Sequence, residues 1–158
     1  MSQLHVFLLE DSPTDVALVK FQAEKLGLIV VHTENIAEID LAEGCQLAIL
    51  DLCVVGSDGC ETVARFRRQF PVMPLLVHSG TDAEFQCREE GADYFVSKGS
   101  GTAELVSAMK TAVKERKHKL HQRASSLPKG QLEDLILAEL DSTHDDLQVL
   151  AEEVPKIC

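Results

Sequence analysis

The stretch Gln46-Leu47-Ala48-Ile49-Leu50-Asp51-Leu52-Cys53 decides the fold. Its apolar run, Leu47 to Leu50, closes on one carboxylate and passes into a Gly/Asp/Ser loop through Gly59. That is the pattern of a parallel strand buried on both faces, delivering an acid to its C-terminal edge. Open α/β sheets place their chemistry at that edge. A lone acid after an apolar run is ordinarily a helix cap or a loop acid, so the meaning of Asp51 depends on what else the chain brings there.

Upstream, residues 4–9 form a second apolar run that stops at Glu10-Asp11-Ser12-Pro13. Two acids, a capping residue and a proline suited to the first helical position predict a helix. It carries Val16, Leu18, Val19, Phe21 and Leu26 and ends at Gly27; residues 28–31 then read as a β-branched strand. A weakly patterned helix over 36–42 leads through Gly44 into the Asp51 strand. Downstream, Val63, Phe66 and Phe70 mark an amphipathic helix halted before Pro71. Residues 72–77 form a strand ending in His78-Ser79-Gly80, 82–90 a short helix, and 94–96 a strand ending in Ser97-Lys98-Gly99. Thr102 then caps a long helix with Leu105, Val106, Met109 and Val113 at helical spacing and a basic end over 114–123. This alternation predicts an α/β fold: a five-stranded parallel sheet covered on both faces, in the doubly wound order 2-1-3-4-5. Glu10, Asp11, Asp51, Ser79 and Lys98 then all fall at C-terminal strand ends.

Composition narrows the function. The 158 residues suffice for one domain and a modest appendage, and a formal charge of -11 disfavours nucleic acid and anionic membrane while suiting a cation. Cys45, Cys53, Cys60, Cys87 and Cys158 are odd in number and lack a CxxC pair, which indicates neither a disulfide framework nor a structural zinc site. Free thiols, no basic leader and no apolar run near the roughly twenty residues of a membrane span point to a cytoplasmic protein. The basic stretch 114–123 lacks interleaved aromatics and reads as a solvated helix end, with no helix-turn-helix module beyond it. Residues 124–130 read as a linker after a 1–123 domain. Residues 131–158 read as a short acidic helical extension, with Leu132, Leu135, Ile136, Leu140, Leu147, Leu150 and Val154 at its apolar positions. Such a segment either docks beside the last helix, bridges a homodimer, or opens a truncated output region.

Carboxylates held close repel one another, and either protonation or a hard divalent cation relieves the repulsion. Mg²⁺ fits, because it takes oxygen ligands and commonly uses one or two carboxylates plus a phosphate oxygen. Asp51 can itself attack phosphorus to give an aspartyl phosphate, with Lys98 and the Ser79 hydroxyl on the phosphoryl oxygens.

The residues Leu8-Leu9-Glu10-Asp11-Ser12, Leu50-Asp51-Leu52, Ser79, Gly91-Ala92-Asp93 and Lys98 together resemble the response-regulator receiver domain of two-component signalling, over about residues 4–113. The resemblance implies a flavodoxin-like, chemotaxis-regulator-like fold and a non-enzymatic phosphoacceptor. Asp51 would receive a phosphoryl group from a histidine kinase or histidine phosphotransfer protein. Glu10, Asp11, Asp51 and the Cys53 backbone carbonyl would surround Mg²⁺, Ser79 and Lys98 would hold the phosphoryl, and Ser79 and Phe95 would form the switch. Output would be protein–protein interaction. Three departures stand out: Val55 where a proline is usual, Gly99 in place of the proline after the lysine, and a Ser79–Lys98 interval about three residues short, most of a turn from one helix. Two other readings stay open. One is a receiver-like module that binds partners without phosphorylation; the other is an aspartyl-nucleophile phosphatase, disfavoured because Cys53 stands where its general acid would be.

Overall fold

The computed structural model describes residues 3–57 and 59–138, with side chains through residue 133. The elements are β1 (His5–Leu9), α1 (Pro13–Lys25), β2 (Ile29–Thr33), a 3-10 segment (Ile36–Ala42), β3 (Leu47–Leu50), α2 (Glu61–Gln69), β4 (Leu75–Ser79), α3 (Glu84–Glu89), β5 (Tyr94–Ser97), a 3-10 turn (Lys98–Ser100), α4 (Thr102–Lys114), α5 (Arg116–Ser126) and α6 (Lys129–Ala138). The strands form one five-stranded sheet in the order β2-β1-β3-β4-β5, every pair parallel, as the alternation predicts.

Two-residue periodicity divides the strand side chains between two cores. Phe7, Leu9, Ala48, Leu50, Leu75 and Val77 meet Val63 and Phe66 of α2, Ile36 and Ile39 of the 3-10 segment, and Cys87 of α3. Val6, Leu8, Leu47, Ile49, Leu76 and Val96 meet Val19 and Ala23 of α1 and Leu105, Met109 and Ala112 of α4. Both faces are covered, which is why the strands read as continuous apolar runs rather than alternating ones. The free thiols of Cys60 and Cys87 lie 2.9 Å apart in the first core, and burial pushes the Cys87 thiol up to about 12.

Three local expectations change. The Ile36–Ala42 helix is 3-10 in type and kinked at Glu38. Thr102 is the first residue of α4 rather than its cap, which is Gly101 at φ 94, a left-handed turn that favours glycine and swings the chain out of the Lys98–Ser100 turn. The long terminal helix breaks at Glu115, whose backbone leaves helical geometry and whose carboxylate accepts from the Tyr94 hydroxyl at 2.7 Å. The break re-aims α5, so that Leu120 and Ala124 pack with Val72, Leu127 and Leu132 in a third small core. Helices α5 and α6 reach into the stretch 124–130, leaving Leu127 and Pro128 between them, and Leu127 is extended as a residue before proline prefers. Beyond residue 138 the expected acidic extension and its dimerising role lie outside the described residues.

Candidate functional site

Register alone brings the acids together. Leu9 is the parallel partner of Leu50, so Glu10 and Asp51 leave adjacent strands side by side, held by Glu10 N donating to Thr33 O (3.1 Å) and Asp51 N to Leu9 O (2.9 Å). Asp11 follows at the mouth, partly exposed, and the carboxylate oxygens of Glu10, Asp11 and Asp51 lie within 4.8 Å of one another. Lys98 enters from the end of β5, and its ammonium donates to Asp15 Oδ2 at 2.8 Å, Glu10 Oε1 at 2.9 Å and Asp51 Oδ2 at 3.0 Å. Ser79 closes β4, fully buried, with its hydroxyl 3.0 Å from that of Thr81. Phe95 is half-buried against the α2 side of the sheet. The Cys53 N–H donates to Asp51 Oδ1 at 3.1 Å, and the Lys98–Gly99 peptide is trans.

Electrostatics separate the two buried acids. Burial, then a hydrogen bond and charge repulsion from Asp51, raise Glu10 to about 7. Asp51 is buried as well, which works against its ionisation, but bonds from Glu10, the Cys53 N–H and Lys98 hold it below the usual carboxylate range. Glu10 therefore carries the proton and Asp51 the charge. Burial also works against the charge on Lys98, yet its bonds to Asp15, Glu10 and Asp51 outweigh that and hold the ammonium above the ordinary lysine value. A Glu10 carboxyl raised to about 7 marks a site with more carboxylates than cations to balance them. An all-oxygen, partly buried cluster of this kind suits Mg²⁺.

This gives a pH prediction. Glu10 titrates near 7 in the folded protein against an ordinary value of 4.5, so between these pH values the folded chain holds a proton that the unfolded chain has lost. Stability without metal therefore falls as pH rises through that window, by on the order of 2 kcal/mol. Thermal melts in chelator between pH 5 and 8 should show the decline, and Glu10→Gln should flatten it; an unchanged slope in the variant would place the proton elsewhere.

Asp15 was not among the site residues expected from sequence. Ser12-Pro13-Thr14-Asp15 reads as a capping box, which accounts for the acid without any role in the site. Half of that box forms, with Ser12 Oγ accepting from Asp15 N at 3.4 Å. The reciprocal bond is taken over: the Ser12 N–H donates to Glu10 Oε2 at 3.3 Å, and the Asp15 carboxylate turns to Lys98. His78, from the end of β4, is buried beside this cluster, and burial together with the Lys98 charge lowers its pKa.

Comparison with known proteins bears on the fold and the family. A family model described as the response regulator receiver domain matches residues 6–110. No curated protein sequence matches the chain. Among solved structures, the chain is similar to a CheY-like receiver domain protein from Methanospirillum hungatei (TM-score 0.66, 19% identity, 75% of this chain and 99% of that one). It is similar also to the Vibrio cholerae chemotaxis protein CheY4 (TM-score 0.61, 19% identity, 70% and 98%). A third is the phosphorylated cyanobacterial phytochrome response regulator RcpA (TM-score 0.59, 21% identity, 72% and 93%). At these identities the similarity establishes the fold.

Proposed function

The chain belongs to the response regulator receiver domain family of two-component signalling, and from that premise we propose that Asp51 is its phosphoacceptor, loaded by a histidine kinase or a histidine phosphotransfer protein. One observation carries the reading: Asp51 is 3% exposed yet held ionised, at a strand end, by the site's lysine and by a neighbour that keeps the proton. A buried carboxylate kept anionic in this way is a ready nucleophile. Its oxygen attacks phosphorus, the bond from phosphorus to the donor imidazole nitrogen breaks, and that nitrogen keeps the electron pair. Lys98 donates to a phosphoryl oxygen, and the Ser79 hydroxyl exchanges Thr81 for another, with Phe95 following inward. Glu10, Asp11, Asp51 and the Cys53 carbonyl would hold Mg²⁺, which when bound neutralises charge on the transferred group.

Residues 1–123 would form the receiver unit, with output by protein contact. Phe85, 80% exposed on the short α3 that follows β4 in the chain, offers an apolar surface for such a contact. The direct test is incubation with Mg²⁺ and phosphoramidate, followed by mapping of hydroxylamine-labile phosphate. A single label on Asp51 is expected, whereas no label at all would favour the phosphorylation-independent interaction module.

The metal arm has its own expected result. Asp11 lies at the open mouth and Glu10 is already committed to a proton and to the Asp11 and Ser12 N–H groups, so Asp11 is the freer ligand. Asp11→Ala should weaken Mg²⁺ binding by about tenfold or more in calorimetry, and Glu10→Gln by less. Unchanged affinity in Asp11→Ala would remove it from the ligand set.

A further inference from the structure

Building on the reading of Asp51 as phosphoacceptor, we infer that Asp15 is a positioning residue for that chemistry: its carboxylate fixes the Lys98 ammonium where a phosphoryl group on Asp51 would meet it. An ammonium has three N–H groups, and Lys98 places them on three carboxylates, the shortest contact being to Asp15. Two of those acceptors have other work. Glu10 and Asp51 belong to the oxygen cluster with Asp11, and Asp51 is the group to be modified; Asp15 is outside that cluster. It is therefore the acceptor that can stay on Lys98 while the other two turn to the cluster or to the phosphoryl.

The local structure supports the assignment independently. A capping box would spend the fourth residue's carboxylate on the cap's N–H. Here Glu10 Oε2 occupies the Ser12 N–H, and the Asp15 side chain is released toward the sheet edge. Pro13 fixes the first helical residue, so the first turn presents Asp15 from a rigid element, whereas Lys98 hangs on a flexible four-carbon stem from a three-residue turn. With its side chain 22% exposed, Lys98 without Asp15 loses its shortest anchor and swings toward water. That movement takes a donor from the phosphoryl site.

The experiment is a double-mutant cycle on the full chain. Initial rates of Asp51 phosphorylation by phosphoramidate with Mg²⁺ are measured for wild type, Asp15→Asn, Lys98→Ala and the double variant. Asp15→Asn should slow the reaction by about tenfold, the scale of one charge-assisted hydrogen bond. Asp15→Glu, which retains the charge, should recover part of the loss. In the Lys98→Ala background Asp15→Asn should add less than about twofold, because its partner is already gone. A merely structural role would give the same loss in both backgrounds. A second readout needs neither metal nor donor: acetylation of Lys98 by acetic anhydride, followed by peptide mass spectrometry, should be faster in Asp15→Asn than in wild type. The cap survives the substitution because it uses the main-chain N–H of residue 15.

An Asp15→Asn protein that phosphorylates like wild type, or that loses the same factor without Lys98, overturns the inference. A wild-type chain that takes no label at Asp51 overturns the phosphoacceptor reading instead. In that event unchanged Lys98 acetylation in Asp15→Asn would refute the anchoring role as well, and faster acetylation would leave it standing.

Discussion

Asp51→Asn is expected to reduce hydroxylamine-labile phosphorylation to background, a loss of at least about a hundredfold, while leaving the fold intact. An amide has no anionic oxygen to attack phosphorus, and it is isosteric with the carboxylate at a position 3% exposed, so packing between β1 and β4 should be undisturbed. The Cys53 N–H keeps an oxygen acceptor in the variant. The substitution also has a consequence that chemistry alone would not suggest. Asp51 raises Glu10 through both a hydrogen bond and charge repulsion, so without it Glu10 moves back toward the ordinary carboxylate range. The stability of Asp51→Asn in chelator should then vary less with pH than that of wild type, with Glu10 itself unmutated. Persistent labelling at the wild-type rate would transfer the acceptor role to another acid, with Glu10 and Asp11 the nearest candidates.

What the sequence discloses here depends on whether a residue's role is local. Residues 47–50 read as a strand because burial on both faces demands an uninterrupted apolar run, and their order in a doubly wound sheet follows from alternation with helices. Glu10, Asp11, Asp51 and Lys98 were legible because each terminates such a run, and the sheet then delivers all of them to one edge. Asp15 escaped because a complete local explanation, the capping box, was available, and only the loss of the reciprocal bond to Glu10 frees its carboxylate. The break at Glu115 was hidden for the opposite reason. Helical spacing continues across it to Leu120, and the contact that the Glu115 carboxylate makes there, with the hydroxyl of Tyr94, comes from 21 positions away. The Ser/Pro/Gly composition of 124–130 suggested a linker, yet Ala124 is 1% exposed in the third core and Arg123 is tied to Asp93.

Asp93 carries the second large expected effect: Asp93→Ala should cost about 3 kcal/mol, the scale on which one partner of a buried ion pair is removed. Its carboxylate, 7% exposed, accepts from Arg123 Nη2 at 2.7 Å and Arg67 Nη2 at 3.3 Å, and also takes the N–H of Leu75 at 2.9 Å, where β4 begins. Two guanidiniums thus share one carboxylate and one carbonyl, that of Gly91, which accepts from Arg67 Nη2 at 2.7 Å and Arg123 Nη2 at 2.6 Å. Burial and the charge of Arg123 pull Arg67 down to about 9, so the pair is already strained electrostatically with Asp93 present. Gly91 has to be glycine for this packing: its φ is 115, and a Cβ would sit 2.9 Å from Arg67 Cγ. Taking Asp93 away leaves two like charges facing one another and the Leu75 N–H without its acceptor, which should lower the melting temperature by roughly 10 °C. Arg123→Ala should cost much less, about 1 kcal/mol, because it relieves the repulsion on Arg67 while loosening α5. The ordering of the two variants is the discriminating result. If Asp93→Ala melts within a degree or two of wild type, or Arg123→Ala proves the more damaging, then carbonyls and the third core hold α5 in place. Asp93 would then be no clamp between the sheet and the C-terminal helices.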